Sequence, residues 1–437
     1  MRSVKTLVLA FVPTCVVLAG AQHAVAAKFK VLYDFCAKAN CADGSGPRGE
    51  LYLNNSGELY GVTTGGGDNG RGIVFRLVPG SGDGKWKYQR LYSFCAKPDC
   101  RDGSGAASRL IPDLQGNLYG LSYNPSLVFV LKPNAEGTRW KAQTPYRLCD
   151  GSTCKQGFGL TGGLTYQGAQ NGTPYDGNSP LYGTAIFGGR SGEGTVFSIA
   201  PQTGGKWKYS KLHDFCTETE DCGLRDGALP TNGLLPDANG ALFGATEGGG
   251  ENFSGTIFRL SPKPAGKWKE TILYTFCTAG CDDGQSPAGI ARDALGNFYG
   301  ATSALGANGK GGTLFELAAN GSFSVLHAFC SAPDCGDGHQ PGSPPIADAA
   351  GNLFGTTIIG GGNDIDEGHL GGGVVYERAA DGSFKVLHAF CAEAGCADGQ
   401  APFAGLTLDA GGRLFGVTNG GGKFGGGVIF ESDPSSL

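Results

Sequence analysis

The stretch LYGVTTGGGDNGRGIVFRL at 59–77 decides the fold, because its pattern recurs seven times along the chain. The pattern is an aromatic residue followed by glycine, then a glycine-rich loop and a short apolar run. The other copies begin at residues 118, 181, 242, 298, 353 and 414. Successive copies are 59, 63, 61, 56, 55 and 61 residues apart, measured between Gly61, Gly120, Gly183, Gly244, Gly300, Gly355 and Gly416. This spacing predicts a tandem array rather than a series of unrelated domains.

Glycine is unusually abundant, with 79 of 437 residues, and proline adds 22. A glycine and proline content this high is typical of disordered chains when these residues do not recur at a fixed spacing. Here the glycines recur in register, which indicates turns and close approaches of the backbone. Because each repeat of an array buries its apolar face against its neighbours, we predict a single domain. It contains seven repeats of about 59 residues and covers 28–433.

The first 26 residues have the pattern of an export signal. Arg2 and Lys5 precede an apolar run at 7–20, and a small-residue cleavage pattern follows at 24–26. The run is too short to span a membrane, and no second hydrophobic span follows it. We therefore predict removal of 1–26 and a secreted, periplasmic or cell-surface protein without a transmembrane segment. The polar C-terminal end shows no recognisable anchor.

The charge of the chain excludes some partners. The formal net charge of −5 becomes −7 without residues 1–26, which contain two basic residues and no acidic ones. A mildly acidic surface argues against nucleic acid or anionic lipid as the main partner. The glycine loop at 306–312 lacks both the Lys-Ser/Thr pair and the following helix of a phosphate-binding loop. We expect no cofactor, and a monomer that contacts polysaccharide or an extracellular protein.

Fourteen of the 15 cysteines lie in close pairs after the N-terminal signal. An even count in an exported chain favours disulfides. Zinc is the alternative, but a structural zinc site needs four ligands, and only five histidines accompany the seven pairs. We predict seven disulfides that staple single loops and do not join repeats. They are Cys36–Cys41, Cys95–Cys100, Cys149–Cys154, Cys216–Cys222, Cys277–Cys281, Cys330–Cys335 and Cys391–Cys396.

Each repeat has the pattern of four short strands. A turn of the type Asp-Ala-x-Gly joins the first two strands, as in PAGIARDALGNFYG at 287–300, and the second strand carries the aromatic-glycine pair. The third strand is the apolar run after the glycine loop. The fourth starts at a Lys-Trp-Lys or Gly-Ser-Phe segment and ends at the Phe-Cys pair. Four-stranded antiparallel units repeated in this way are typical of a β-propeller.

The two ends of the chain supply complementary parts of one repeat. KFKVLYDFC at 28–36 is a fourth strand without the first three, and VIFESD at 428–433 is a third strand without a fourth. Pairing of these ends would close a ring and remove exposed sheet edges. We therefore predict an all-β, seven-bladed β-propeller whose last blade is completed by the N-terminal strand. The strand after each cysteine pair then lines the central channel, and the cysteine and glycine loops share one face.

The pattern G-x-[LF]-[YF]-G-x-T…GGG…G-T-[VI]-F resembles the GloVer tandem repeat of bacterial surface proteins, which are described as choice-of-anchor tandem repeat proteins. The resemblance covers nearly all of the chain after the signal, in seven copies. It implies an exported, β-rich repeat protein. It carries no catalytic residues that transfer to this sequence.

Two kinds of polar residue recur at fixed positions of the repeat. His213, His327 and His388 take the position that tyrosine holds in other repeats, which predicts aromatic packing rather than catalysis. Asp-Gly follows six of the seven cysteine pairs. One hypothesis is a carboxylate ring at the channel mouth that holds a cation, and the simpler interpretation is a turn. The aspartates are Asp43, Asp102, Asp226, Asp283, Asp337 and Asp398.

Residues that break the repeat are better candidates for a site, since a symmetric ring gains a site by losing its symmetry. The sixth glycine loop is lengthened at 360–373, and a second insertion at 166–180 should form a surface loop on the opposite face. A histidine with several carboxylates can bind a metal or act as an acid–base pair. We assign no catalytic residue or metal ligand, and we predict a ligand-binding site from His339, Asp364, Asp366, Glu367 and His369.

Three functions remain open. Rigid loops on one face favour a non-enzymatic binding or surface-interaction protein that recognises polysaccharide, peptide or protein. The alternative is an extracytoplasmic, glycan-active enzyme with a site near the sixth blade. A structural module of the envelope or matrix is the third. The chain shows almost no helical periodicity, so no Gly-x-Ser-x-Gly sequence occurs in the strand-to-helix context of a nucleophile elbow.

Overall fold

The structure is a computed structural model that describes residues 28–80, 85–149, 154–216, 226–362 and 371–436. Within these ranges the chain forms seven antiparallel sheets, each of which is one propeller blade. Helical segments in these ranges are single 3₁₀ turns, and none has the length or apolar character needed to cross a bilayer. The turns are Ala39–Cys41, Pro98–Cys100, Ala169–Asn171, Thr203–Gly205, Pro264–Gly266, Pro333–Cys335, Ala394–Cys396 and Pro434–Ser436.

Blades are numbered in chain order, and the strands of each blade are given from first to fourth. The first strand is interrupted in blades 1 and 6, where two short strands occupy its place. Blade 1 contains Ser45–Pro47 with Tyr52–Leu53, Leu59–Gly65, Ile73–Pro79 and Trp86–Ser93. Blade 2 contains Ile111–Pro112, Leu118–Ser122, Leu127–Pro133 and Trp140–Arg147. Blade 3 contains Thr165–Tyr166, Leu181–Ala185, Thr195–Pro201 and Trp207–Asp214.

The remaining blades follow the same order. Blade 4 contains Gly227–Pro236, Leu242–Gly249, Thr256–Pro262 and Trp268–Thr275. Blade 5 contains Gln285–Arg292, Phe298–Ala304, Thr313–Leu317 and Phe323–Ala328. Blade 6 contains His339–Pro341 with Ile346–Ala347, Leu353–Ile359, Val374–Arg378 and Phe384–Ala389. Blade 7 contains Thr407–Leu408, Leu414–Thr418, Val428–Asp433 and, from the other end of the chain, Lys28–Asp34.

The ring closes through blade 7. Lys28–Asp34 pairs antiparallel with Val428–Asp433, and Val31 lies opposite Phe430. The N-terminal strand therefore supplies the fourth strand of a blade whose first three strands come from the C-terminal end. This confirms the predicted seven-bladed propeller and its mode of closure.

The glycine of the aromatic-glycine pair lies directly opposite an aromatic residue of the third strand. In blade 4, Gly244 pairs with Phe258, and a Cβ atom on Gly244 would lie less than 3.0 Å from the ring. The same crowding occurs in every blade, so the recurring glycine and the recurring aromatic residue form one packing unit. The other pairs are Gly61–Phe75, Gly120–Phe129, Gly183–Phe197, Gly300–Phe315, Gly355–Tyr376 and Gly416–Phe430.

The hydrophobic core is divided among the interfaces between blades. Each of seven clusters joins two neighbouring blades, as where Phe215 of blade 3 meets Leu234 and Phe258 of blade 4. Each Å² of apolar surface that is buried at these interfaces stabilises the folded state by about 25 cal/mol. A single blade has no core of its own, because its apolar residues are buried against the two adjacent blades.

In the described part of the chain, the cysteine loops and the glycine loops lie on one face, which we call the loop-rich face. The backbone NH of Gly67 donates to the carbonyl of Cys41 at 2.9 Å, which ties the glycine loop of blade 1 to the preceding cysteine loop. The same bond joins Gly306 to Cys281, Gly361 to Cys335 and Gly422 to Cys396. The predicted sharing of a face is therefore confirmed.

The insertion at 166–180 connects the first and second strands of blade 3, so it lies on the opposite face. Tyr175 within it is fully buried, and its ring centroid is 5.2 Å from that of Tyr119 in blade 2. The backbone NH of Leu114 donates to the carbonyl of Tyr175 at 3.2 Å. The insertion is therefore more than a surface loop, since it packs against the neighbouring blade.

Candidate functional site: the loop-rich face

A central cavity of about 1120 Å³ runs along the propeller axis. Most of its lining comes from the segment that follows each cysteine pair and contains the first strand, as predicted, and second strands add Glu247, Ser303 and Ile358. The wall is partly charged: the guanidinium of Arg109 lies 2.9 Å from the carboxylate of Glu50, and Arg48 lies over the ring of Phe403. Near the loop-rich mouth, the side chain of Glu247 is exposed to the cavity, and partial desolvation by the surrounding walls raises its pKa.

The cysteine loops are closed by local disulfides. Six of the seven predicted bonds are present, and Cys222 lies outside the described residues. Each bond spans four or five residues, so it fixes the shape of one loop and does not link blades. The loop-rich face is therefore built from short, covalently closed segments.

In five cysteine loops, the aspartate of the following Asp-Gly pair accepts hydrogen bonds from backbone NH groups of its own loop. In blade 5, Asp337 accepts hydrogen bonds from the backbone NH groups of Ser331 and Ala332, both at 3.1 Å, and lies 2.9 Å from Nε2 of His327. Burial alone would raise the pKa of Asp337, but these hydrogen bonds outweigh it and lower the pKa. The carboxylate is already occupied by groups of the protein, which favours the turn interpretation over a cation-binding ring.

The partner of this aspartate is a tyrosine or histidine ten residues before it in most blades. Examples are Tyr33 with Asp43 at 2.7 Å, Tyr92 with Asp102 at 2.6 Å and His388 with Asp398 at 2.9 Å. The three recurring histidines occupy the same place as the tyrosines. This position agrees with the predicted packing role of His327 and His388, whereas His213 lies beside a second carboxylate, that of Glu270.

An aromatic ring from the fourth strand of the next blade covers this tyrosine or histidine at five blade interfaces. The ring of Phe384 stacks on His327 with centroids 3.7 Å apart. The other stacked pairs are Tyr33–Tyr88, Tyr146–Tyr209, Tyr274–Phe323 and His388–Phe29. The covering residues share one register position, since Tyr88, Tyr209 and Phe323 lie opposite Leu77, Ile199 and Leu317.

Blade 4 carries a carboxylate at the covering position. Glu270 lies opposite Leu260, in the same register as the covering rings, and its Oε2 is 3.6 Å from Nε2 of His213. Asp226 Oδ1 is 3.3 Å from the same nitrogen. Burial and then the charge of Asp226 raise the pKa of Glu270 to about 10. Burial alone would raise the pKa of Asp226, but hydrogen bonds with His213 and Glu270 outweigh it and lower the pKa.

The ligand-binding site predicted in blade 6 is only partly within the described residues. His339 lies in the first strand, where burial and the nearby charge of Lys310 lower its pKa. Its Nδ1 is buried and has no hydrogen-bond partner. The other predicted residues, Asp364, Asp366, Glu367 and His369, lie outside the described residues. Their association with His339 stays a prediction.

Exposed aromatic side chains in the described ranges lie on the loop-rich face. They are exposed by 36–56%, whereas most aromatic residues of the blades are buried. The opposite face exposes aliphatic residues instead, with Leu114 at 67% and Leu295 at 82% in its turns. Four of the exposed rings lie in loops between the second and third strands of different blades, three of them glycine loops, and the fifth follows a cysteine loop. They are Tyr123, Phe187, Phe253, Phe424 and Phe158.

The sequence matches the model of the Gloeobacter/Verrucomicrobia repeat over residues 146–365 and 265–437, which together are more than half of the chain. The chain belongs to this repeat family. The predicted GloVer resemblance is thus confirmed. No curated protein matches the sequence.

Among solved structures, this repeat protein is similar to a catalytically inactive virginiamycin B lyase from Staphylococcus aureus, crystallised with quinupristin. The TM-score is 0.54 at 12% identity, over 93% of this chain and 99% of the lyase. It is also similar to the extracellular domain of a putative one-component system from B. thetaiotaomicron, with a TM-score of 0.51 at 11% identity. That match covers 92% of this chain and 39% of the other. At these identities the likeness shows the fold alone.

Two features of this face were not predicted from the sequence. The exposed phenylalanines stand in otherwise glycine-rich and polar loops, as in GGGENFSG and GGGKFGGG, and this contrast was the available signal. Glu270 follows a Trp-Lys pair at the place where Tyr88 and Tyr209 follow the same pair in blades 1 and 3. The carboxylate of Glu270 is visible when the fourth strands are aligned residue by residue. Only the structure shows that it faces His213 and Asp226.

Proposed function

We propose that the protein is an exported, non-enzymatic binding protein that holds an extracellular polysaccharide on its loop-rich face. The proposal includes removal of 1–26 and a monomeric propeller over 28–433. The observation that carries it is the distribution of the exposed rings Tyr123, Phe158, Phe187, Phe253 and Phe424, which lie on that face.

The chemistry of an aromatic ring suits a sugar ligand. The ring offers a flat, rigid apolar surface with few rotatable bonds, so little conformational entropy is lost on contact. Pyranose rings present CH groups on their faces and hydroxyl groups at their edges. The polar channel mouth, with Glu247 and Ser303, offers hydrogen-bonding groups beside the rings. The aromatic rings can thus pack on the CH faces of a sugar, and the polar groups can form hydrogen bonds with its hydroxyl edges.

Rigidity of the face supports the same function. The disulfides and the glycine-to-cysteine hydrogen bonds hold the loops before a ligand arrives. A preorganised surface loses less free energy when it binds. The loop-rich face therefore favours recognition of an extended ligand that contacts several blades.

The test is retention in native gels that contain neutral or acidic polysaccharides. The variant Phe187→Ala/Phe253→Ala/Phe424→Ala should bind on the order of 100-fold more weakly, because each anchor contributes at least about 1 kcal/mol. The matched control is Leu114→Ala/Leu295→Ala, which removes exposed apolar side chains from the opposite face.

Retention should be lost in the aromatic variant and kept in the leucine variant. Equal behaviour of the two variants, or no retention of the unmodified protein in any gel, would contradict the proposal. Release of shortened sugars that stops in Asp364→Ala/Asp366→Ala/His369→Ala would instead favour the glycan-active enzyme.

A further inference from the structure

We propose that His213, Asp226 and Glu270 form a binding site for a divalent transition-metal ion, Zn²⁺ above all, between blades 3 and 4. His213 lies near the end of the fourth strand of blade 3. Asp226 immediately precedes the first strand of blade 4, and Glu270 lies in its fourth strand. The site is separate from the exposed aromatic residues, so it does not depend on the proposed polysaccharide binding.

The donor atoms are already spaced for one ion. The Nε2 atom of His213 is 3.3 Å from Asp226 Oδ1 and 3.6 Å from Glu270 Oε2. One ligand atom from each residue lies within 4.8 Å of the other two. Two donors bound at ~2.1 Å to one tetrahedral ion are ~3.4 Å apart. Little movement of the three side chains is therefore needed to hold an ion.

The chemistry of the donors selects the kind of metal. One imidazole nitrogen and two carboxylates suit Zn²⁺ and neighbouring transition metals better than Ca²⁺, which takes six to eight oxygen ligands. Three protein ligands also leave one coordination position open, as in catalytic zinc sites.

A second observation concerns a buried oxygen atom of Glu270 that a metal ion could coordinate. The Oε1 atom of Glu270 is buried and makes no hydrogen bond in the structure. A buried oxygen without a partner is costly, and such atoms are uncommon. The side chains of His213 and Glu270 are only 17% and 11% exposed, so an ion there would be largely shielded from water.

Comparison between blades separates this cluster from ordinary packing. Where Phe384 covers His327 and Phe29 covers His388, the histidine has one carboxylate partner and an aromatic ring on its other side. Only at His213, among the described residues, does a second carboxylate replace the ring. The backbone NH of Cys216 donates to Asp226 Oδ2 at 2.6 Å, which orients the carboxylate and leaves Oδ1 toward the cluster.

The test measures Zn²⁺ retained after equilibrium dialysis of the oxidised protein, with any free thiol alkylated first. The informative variant is Glu270→Tyr, which restores the Trp-Lys-Tyr sequence of blades 1 and 3 and should fold. The matched control is His327→Tyr, which changes the equivalent histidine of blade 5. Thermal unfolding with and without EDTA gives a second measurement.

We expect one equivalent of Zn²⁺ per chain in the unmodified protein and in His327→Tyr, and loss of that equivalent in Glu270→Tyr. EDTA should lower the midpoint of thermal unfolding of the first two proteins and leave that of Glu270→Tyr unchanged. Failure of the unmodified protein to retain Zn²⁺, or full retention by Glu270→Tyr, would overturn the inference. Loss of Zn²⁺ only in the variant Asp364→Ala/Asp366→Ala/His369→Ala would also overturn the inference, because the ion would then lie in blade 6.

Discussion

At the scale of single residues, the recurring glycine of the second strand is required by its neighbour rather than by its own backbone conformation. Gly244 has no positive φ, yet the ring of Phe258 occupies the space that a side chain would need. The aromatic ring and the glycine therefore depend on each other. This is why both recur in all seven copies of the repeat.

The substitution Gly244→Ala should lower the free energy of unfolding by about 1–3 kcal/mol, the usual cost of overpacking a core. Its matched control is Gly420→Ala, since Gly420 also lacks a positive φ and its nearest neighbour atoms would be 3.9 Å from an added Cβ. Urea unfolding followed by tryptophan fluorescence measures both. A control variant as unstable as Gly244→Ala would show that the ring contact is not the cause.

At the scale of the element, five of the cysteine loops are each held from inside by one carboxylate as well as by a disulfide. Asp337 joins the backbone NH groups of Ser331 and Ala332 to the side chain of His327. The loop is thus linked to the fourth strand that precedes it. The glycine after the aspartate has a positive φ of 99°, as the turn interpretation requires.

Replacement of Asp337 by alanine should cost about 1–3 kcal/mol of stability at neutral pH, because two backbone donors and one histidine lose their acceptor. Asp334→Asn is the control, since Asp334 lies exposed in the same loop and asparagine also tolerates its positive φ. The folded-state pKa of Asp337 is lowered, so its contribution is present above the unfolded pKa of about 4 and is lost as the pH falls through the folded pKa. Urea unfolding at pH 7 and below pH 4 should show the difference between Asp337→Ala and the unmodified protein shrinking. A difference that grows on acidification would contradict this assignment.

At the scale of the whole molecule, stability depends on closure of the ring. Lys28–Asp34 covers the edge of Val428–Asp433, and Phe29 stacks on His388 of blade 6 with centroids 3.6 Å apart. The N-terminal strand therefore completes blade 7 and contacts blade 6, which precedes it in the ring. Because every cluster of the core lies between two blades, loss of one contact weakens the others.

Deletion of residues 1–34 should leave Val428–Asp433 as an open sheet edge and lower the midpoint of thermal unfolding. It should also cause self-association, since unpaired edges template pairing with other chains. Light scattering after size-exclusion chromatography and thermal unfolding measure these effects. A chain that begins at residue 28 is the control and should behave as a stable monomer. Equal stability and oligomeric state of the two chains would show that the closing strand is dispensable.

The sequence alone was sufficient to predict the repeat, the four strands of each blade, the ring closure and the face shared by the loops. These features depend on local patterns that occur seven times, such as Gly244 opposite Phe258, and repetition removes the ambiguity of a single copy. The blade 6 loop was chosen because it is irregular in length, and its residues 364–369 lie outside the described part of the chain. Only the tertiary structure decided that Glu270 faces His213 and Asp226, and that the exposed rings lie on one face. The physical reason is that these contacts join different blades or depend on solvent exposure, which the order of residues within one repeat does not specify.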